Sequence, residues 1–170
     1  MRVNSIDHFE ICNGEDVGVT LYTQGCPHHC DGCFNPETWD FTKGHKFDIN
    51  DFAEILEAID KPQIKRFTFC GGDPLGYMTH KDFWDVADLA YRLKAHKPEI
   101  KIWLYTGWLW EDIPEDEKKY LRPLDVLVDG PFIKEEKDLS LAFRGSRNQR
   151  LIDVKQSLQQ GKVILYAREA

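Results

Sequence analysis

The sequence predicts one α/β domain over residues 1–170, built on four to six mainly parallel strands that form an incomplete barrel or an open curved sheet. Short apolar runs with strand character alternate along the chain with amphipathic, helical ones. This order is typical of strand–helix–strand crossovers. Polar, glycine-containing segments follow the strands, and α/β proteins bind ligands at the carboxyl ends of parallel strands. We therefore expect the functional site at that edge of the sheet.

The individual elements are predicted from periodicity and end signals. Predicted strands, rich in β-branched and aromatic residues, cover 17–24, 66–70, 101–105, 125–132, 149–154 and 162–166. Helical spacing of apolar residues predicts helices at 48–61 and 80–94; the acidic segment 111–122 is predicted as a short helix, and 155–162 as a helical segment between two strands. Asp48 stands where the first of these helices begins and is its predicted N-cap.

Composition argues against several classes of function. The net charge of −7 disfavours nucleic-acid binding, because phosphate neutralisation needs a basic surface. No apolar run approaches the length of a membrane span, and the N-terminal MRVNSIDHFE lacks the apolar core of a signal peptide. We therefore expect a cytoplasmic protein with reduced thiols. In that compartment, clustered cysteines indicate metal binding or catalysis rather than disulfides.

Three of the five cysteines lie in the loop GCPHHCDGCFN, at Cys26, Cys30 and Cys33. A structural zinc site needs four protein ligands. The fourth could come from His28, His29, Cys12 or Cys70. Thiolates are also suited to an iron–sulfur cluster, and a cubane held by three cysteines leaves one iron open for a substrate or cofactor. The spacing alone leaves both interpretations open and favours iron–sulfur.

Further motifs make the pattern specific. The C-x3-C-x2-C spacing resembles the cluster motif of the radical S-adenosylmethionine (SAM) enzymes, and QGCPHHCDGCFNPETWD resembles their glycyl-radical-activating branch. GGDPL (71–75) looks like the family's GGEPL segment, which holds the methionyl amino group of SAM through backbone groups. WLYTG (103–107), DVLVDGPF (125–132) and RGSRNQRLID (144–153) are similar to the activating proteins of anaerobic ribonucleoside-triphosphate reductase. These motifs occur in the family's order over most of the chain.

The resemblance implies a partial TIM-like barrel of the radical SAM type, with a 4Fe-4S cluster and SAM as cofactors. It implies Cys26, Cys30 and Cys33 as the cluster ligands and the catalytic centre. The SAM-binding residues that it implies are Gly71, Gly72, Asp73, Pro74, Thr106, Gly107, Asp129 and Arg147.

Several roles stay open at this point. Asp129 is either a cap or a group facing SAM and a small cation. Arg144 and Arg147 are either surface groups or ligands of the SAM carboxylate or of the partner's glycine loop. Cys12 and Cys70 are interpreted as buried thiols.

Two positions depart from the family pattern. Asp73 stands where the family more often has Glu, a shortening that should matter little if the backbone binds SAM. Gly32 replaces the aromatic residue that many family members carry before the third cysteine, so no adenine-stacking residue is assigned.

The implied activity begins when one electron from reduced flavodoxin or ferredoxin cleaves SAM. The resulting 5′-deoxyadenosyl radical would remove a hydrogen from a glycine of anaerobic ribonucleoside-triphosphate reductase. Within the same chemistry, the alternatives are activation of another glycyl-radical enzyme, of the formate-lyase type, and a small-molecule radical SAM reaction. From a different class, the alternative is a zinc-binding interaction module. The short chain suggests a barrel with an open side, which suits a protein loop as substrate.

Overall fold

The computed structural model of the chain describes residues 1–167, which contain one seven-stranded sheet and three α-helices. The strands are β1 (Arg2–Glu10), β2 (Gly18–Thr23), β3 (His45–Lys46), β4 (Arg66–Gly71), β5 (Lys101–Tyr105), β6 (Val126–Asp129) and β7 (Arg150–Asp153). The helices are α1 (Ile49–Ile59), α2 (His80–His96) and α3 (Val154–Gln160). Within residues 1–167, no helix combines the length and apolar character needed to cross a membrane.

The strand order is β3-β1-β2-β4-β5-β6-β7. The four central strands β2, β4, β5 and β6 are parallel, while β1, β3 and β7 run antiparallel to their neighbours. Along the chain, α1 lies between β2 and β4, and α2 lies between β4 and β5. The α/β class is therefore confirmed. The carboxyl ends of the four parallel strands meet at one edge of the sheet, where the sequence predicts the site.

The two faces of the sheet are covered differently, as strand alternation requires. Phe67 and Phe69 of β4 are fully buried in the main core, together with apolar residues of α1 and α2. Arg66 and Thr68 alternate with them and are also fully buried. The Arg66 guanidinium donates to the carboxylate of Glu10 and to carbonyl oxygens of the loop between β1 and β2. This loop therefore covers the face that the helices leave uncovered.

Local capping explains where the helices begin. The Asp48 side chain accepts hydrogen bonds from the amides of Asn50 and Asp51, so the predicted N-cap of α1 is confirmed. Thr79 and Asp82 form a reciprocal capping box at the start of α2. The core of the helical prediction at 155–162 is also confirmed, since α3 begins one residue before it, at Val154, and ends at Gln160 with Gly161 as its C-cap.

Three predictions of secondary structure were wrong. The sheet has seven strands rather than four to six, because two strands were not predicted: β1, whose largely exposed residues hide the alternating pattern, and the two-residue β3. Residues 111–122 form two short 3-10 helices, Trp110–Asp112 and Lys118–Leu121, with Pro114 between them. Residues 162–166 contribute only an isolated bridge from Leu165 to β7, and the 63% exposure of Leu165 leaves little burial to support a strand.

Candidate cofactor site

A cleft of about 530 Å³ opens where the four parallel strands end. The strand ends and the turns that follow them line it in order: Cys26, Cys30 and Cys33 after β2, Gly71 at the end of β4 with Gly72 and Asp73 after it, Thr106 and Gly107 after β5, and Gly130 and Phe132 after β6. The structure therefore brings the three cysteines of the motif together with five of the residues that the resemblance assigns to SAM.

Three of the assigned residues lie elsewhere. Pro74 lines a neighbouring cleft of about 470 Å³. Asp129 is fully buried, and its carboxylate accepts hydrogen bonds from the Trp110 amide at 2.8 Å and from the Arg150 guanidinium at 2.9 Å. The Arg147 side chain is 59% exposed and lies 3.8 Å from a carboxylate oxygen of Asp138. Contacts of these three residues with SAM stay predictions.

The cysteine loop is anchored by the segment that follows it. The amide of Gly25 donates to the Thr38 carbonyl at 2.7 Å, and that of Cys26 donates to the Trp39 carbonyl at 3.1 Å. His29 adopts a positive φ of 48° and stacks on the Trp39 ring, with 4.8 Å between ring centroids. Because these contacts join the start of the cysteine loop to the segment that follows it, they fix the position of the cysteine sulfur atoms.

Each sulfur of the motif is approached by backbone amides. The Asn35 amide donates to Cys33 Sγ at 3.4 Å. The Phe132 amide approaches the Cys30 thiol, and two amides of the loop itself approach Cys26. Backbone N–H groups that point at cysteine sulfur stabilise thiolates and tune cluster potentials, so the donor set fits an iron–sulfur cluster.

Burial controls the acidity of these thiols in the metal-free chain. It raises the pKa of Cys26 to about 11 and also raises that of Cys30, while the amides act in the opposite direction. Binding of iron by these thiols must therefore release their protons. Within residues 1–167, no group of three or more His, Cys, Asp and Glu side chains is arranged to hold a single metal ion.

All five cysteines line the cleft. Burial raises the pKa of the Cys70 thiol, near the end of β4, to about 12, so this thiol is expected to react slowly at neutral pH. Cys12 is exposed, so its interpretation as a buried thiol was wrong. It follows the last residue of β1 by two positions, where the chain turns toward the cleft.

Asp73 connects three of the turns that line the cleft. Its side chain is 1% exposed and accepts hydrogen bonds from His28 Nε2 at 2.8 Å and from the Gly107 amide at 2.9 Å. It also accepts from Thr106 Oγ1 at 2.9 Å and from the Leu75 amide at 2.9 Å. One carboxylate therefore fixes the cysteine loop, its own turn and the turn after β5 relative to one another.

Close backbone contacts require the glycines of these turns. Gly71 has a φ of +96°, which favours glycine, and a Cβ atom on Gly72 would overlap the carbonyl group of Gly25. The amide of Asp73 donates to that same carbonyl at 2.8 Å. A Cβ atom on Gly107 would overlap the His28 ring. The turns thus pack on the cysteine loop without intervening side chains.

Two further residues contribute to the cleft beyond those that the resemblance assigns to the cluster and SAM. His28 is a supporting side chain of the site, since it contacts Asp73 and packs its ring edge-on against Trp108 with 4.6 Å between centroids. Arg144 lines the cleft, whereas Arg147 does not. Only the conformation of the loop around them distinguishes these two arginines, which stand in one motif.

Comparison with known proteins gives the family. A sequence profile described as a 4Fe-4S single cluster domain matches residues 12–152. The chain is 36% identical over 142 residues to the anaerobic ribonucleoside-triphosphate reductase-activating protein of Haemophilus influenzae, which covers 82% of this chain and 90% of that protein. It is 37% identical over 151 residues to the protein of the same name from Enterobacteria phage T4, covering 89% and 93% of the two chains. The chain belongs to this family of activating proteins.

A further member of the activating-protein family, from Escherichia coli strain K12, is 34% identical over 142 residues and covers 82% of this chain and 90% of its own. The region matched by the 4Fe-4S profile contains the cysteine loop and the turns after β4, β5 and β6. The similarity that defines this activating protein's family therefore includes every turn that lines the cleft.

Proposed function

We propose that this chain reductively cleaves SAM at a 4Fe-4S cluster held by Cys26, Cys30 and Cys33, and that it generates a glycyl radical on anaerobic ribonucleoside-triphosphate reductase. The observation that carries the proposal is the shared cleft, which places the three motif cysteines beside Gly72 and Thr106. The relatives are named for activating this reductase, which supports it as the partner.

Different residues of the cleft are suited to bind the cluster, to bind SAM and to hold these groups in position. Three protein thiolates would leave one iron of a 4Fe-4S cluster without a protein ligand and therefore open to SAM. When bound, the cluster and SAM would supply the reductive, radical-forming chemistry. Gly71 and Gly72 present bare backbone beside the cysteine loop, suited to the amino group of SAM. Thr106 and Gly107 border the same space, and Asp73 holds all of these groups in register.

A protein loop is the substrate class that this cleft suits. Phe34 and Leu139 line it with side chains that are 60% and 84% exposed, so the site carries apolar surface open to a partner. An enzyme for a small metabolite would instead enclose its substrate in a pocket. Glycine suits the reaction because it has no side chain to prevent a planar radical centre between two amides.

Several wider features belong to the same proposal. The four parallel strands with the site at their carboxyl ends support a partial TIM-like barrel of the radical SAM type, as one domain over residues 1–170. Reduced flavodoxin or ferredoxin is the proposed electron donor. A cytoplasmic location would keep the cysteines reduced for cluster binding.

The decisive experiment is an anaerobic activation assay. The purified chain should be brown and carry roughly four irons. With SAM, a reductant and the reductase from the same genome, it should produce a glycyl radical visible by electron paramagnetic resonance. Cys26→Ala, Cys30→Ala and Cys33→Ala should each abolish SAM cleavage, whereas Cys12→Ala, outside the motif, should retain it.

Two outcomes of this assay would contradict the proposal. A colourless protein that binds zinc would support the interaction module instead. A radical that forms only on a formate-lyase-type enzyme, or efficient modification of a small metabolite without any protein partner, would move the activity to another substrate.

A further inference from the structure

A groove of about 430 Å³ borders the cysteine loop and shares no lining residue with the cleft. Residues of the loop alternate between the two hollows: Cys26 and His28 line the cleft, whereas Pro27 and His29 line the groove. The cysteine loop therefore separates the groove from the cleft. Under the proposed function, SAM and the reductase loop fill the cleft, so an electron donor has to approach the cluster from another side.

Stacked aromatic side chains line this groove. The Phe41 and Tyr77 rings are nearly parallel, with an interplanar angle of 16° and 4.8 Å between their centroids. The His29 and Trp39 rings also stack, at an interplanar angle of 22°. Because Tyr77 is 64% exposed, the groove presents an aromatic ring on which another planar ring can pack favourably.

The aromatic residues of the groove pack against the start of the cysteine loop. The Phe41 ring lies so close to Gly25 that a Cβ atom there would overlap it. Gly25 precedes Cys26, a proposed cluster ligand, and the Cys26 amide donates to the Trp39 carbonyl at 3.1 Å. Continuous contacts therefore connect the exposed ring of Tyr77, through Phe41, to the backbone that carries a cluster ligand.

Basic side chains surround the groove in a chain whose net charge is −7. Lys43 lines the groove, Arg2 donates to the Lys43 carbonyl at 2.6 Å, and Lys46 lines the hollow that shares Phe41 with the groove. Within residues 1–167, none of these three cations forms an ion pair with a carboxylate. The acids that line the groove are two, at positions 37 and 40. An acidic partner therefore meets a slight excess of positive charge at this place.

We propose that this groove is where reduced flavodoxin docks and passes an electron to the cluster. The proposal rests on the proposed function, since it concerns the electron donor of that same cluster. The partner that fits is a flavodoxin whose flavin edge is surrounded by acidic residues, because a planar flavin can pack on the stacked aromatic rings. In the transfer the reduced flavin loses one electron and the cluster gains it, so no bond forms or breaks. Docking at the groove leaves the cleft free for SAM and the reductase.

The test measures how the cluster-loaded chain binds oxidised flavodoxin from the same genome, by anaerobic titration calorimetry. Tyr77→Ala should weaken this binding roughly 10-fold, because it removes the exposed aromatic ring of the groove. Lys43→Glu should weaken it about 3- to 10-fold at low ionic strength and less at high salt, because the interaction is screened.

Reduction of the cluster gives a second readout, followed by the loss of its visible absorbance after rapid mixing. Reduced flavodoxin at limiting concentration should reduce both variants more slowly than the wild type, in proportion to the loss of affinity. Dithionite, a small reductant that needs no docking surface, should reduce both variants at the wild-type rate.

Matched controls replace an aromatic and a basic residue elsewhere. Tyr91 is 52% exposed on α2 and lines neither the groove nor the cleft. Lys162 comes shortly after α3, which follows the strand at the opposite edge of the sheet from β3. Tyr91→Ala and Lys162→Glu should bind flavodoxin as the wild type does. Iron content shows whether each variant has formed its cluster, and if Tyr77→Ala loads no iron, Lys43→Glu carries the comparison.

Several outcomes would overturn this inference. Wild-type affinity for flavodoxin in both groove variants would do so, as would equally slow reduction by dithionite, because the defect would then lie at the cluster. Displacement of flavodoxin by the bound reductase would place the donor at the cleft instead. A ferredoxin whose binding is weakened by both substitutions, while that of flavodoxin is unchanged, would exclude the flavin as the occupant.

The proposed function has a separate test. If the wild-type chain cleaves SAM with dithionite but the groove variants bind flavodoxin normally, only the docking site is wrong. If the wild-type chain loads iron and is reduced by dithionite but cleaves no SAM, the proposed function itself is wrong, whatever the groove binds.

Discussion

Replacing Asp73 with alanine should loosen the cleft by disconnecting its turns. The carboxylate accepts from four donors, namely His28, Leu75, Thr106 and Gly107. Two of these donors recover easily, because a hydroxyl rotates and the His28 side chain is 14% exposed. The backbone amides of Leu75 and Gly107 have no such freedom.

The expected loss in the free energy of unfolding follows from these two backbone amides. A buried donor left without its acceptor costs about 1–3 kcal/mol, so Asp73→Ala should lower the free energy of unfolding by about 3 kcal/mol. Asp73→Asn keeps the volume but replaces one acceptor oxygen with a donor, and about half of that loss is expected. The control Asp31→Ala removes an acid of the same cysteine loop that is 80% exposed and 3.2 Å from Lys134. A surface pair of this kind contributes below about 1 kcal/mol.

Urea-induced unfolding of the cluster-free chain under reducing conditions measures all three variants. SAM affinity of the cluster-loaded variants gives a second readout, since Asp73→Ala should weaken it while Asp31→Ala should not. If the free energy of unfolding of Asp73→Ala lies within about 0.5 kcal/mol of the wild-type value, the carboxylate does not hold the turns together and the reasoning is refuted.

Three further predictions concern packing and charge. Gly72→Ala should cost about 1–3 kcal/mol in unfolding free energy and weaken SAM binding in dialysis, because its Cβ overlaps the cysteine loop; unchanged values would contradict this. At pH 8, iodoacetamide should modify Cys12 and spare Cys70, whose pKa of about 12 leaves about one thiol in ten thousand ionised; equal labelling by mass spectrometry would argue against its burial. Burial acts to raise the pKa of Glu10, but backbone amides and the Arg66 charge hold it below its usual value. The folded pKa is lowered, so this stabilisation is complete above about pH 4.5 and lost as the pH falls through the folded pKa. Glu10→Gln should therefore lower the free energy of unfolding by about 3 kcal/mol at pH 7 and make that free energy depend less on pH in the acid range. An unchanged dependence on acid pH would contradict the proposed contribution of the Glu10–Arg66 pair.

Local sequence patterns predicted the elements that local physics decides. The capping side chain of Asp48 and the apolar stripe of α1 act within a few residues of each other, so the sequence suffices to locate that helix. The polar turns after the parallel strands were predictable for the same reason, because strand topology brings their ends to one edge. Strand β1 was missed because its pairing with β2, rather than its own composition, holds it in the sheet.

The sequence was sufficient to predict which turns form the site, but not which side chains of those turns contact the cleft. Arg144 and Arg147 share one motif, and which of them reaches the cleft depends on the path of the backbone. Phe143 adopts a positive φ of 59°, and its carbonyl accepts a hydrogen bond from the Tyr105 hydroxyl at 2.7 Å. These features set the direction of the loop through contacts with a distant strand, so residue spacing carries no signal for them.

The contacts of Asp73 give a physical meaning to the aspartate at a position where the resemblance leads us to expect glutamate more often. A purely backbone role in binding SAM would make the length of this side chain unimportant. In the structure, however, the backbone and the carboxylate of Asp73 perform separate tasks. The amide of Asp73 ties its turn to Gly25, while the carboxylate reaches His28 and the turn after β5. Because that side chain is almost fully buried, its length sets the spacing between the cysteine loop and the turns after β4 and β5.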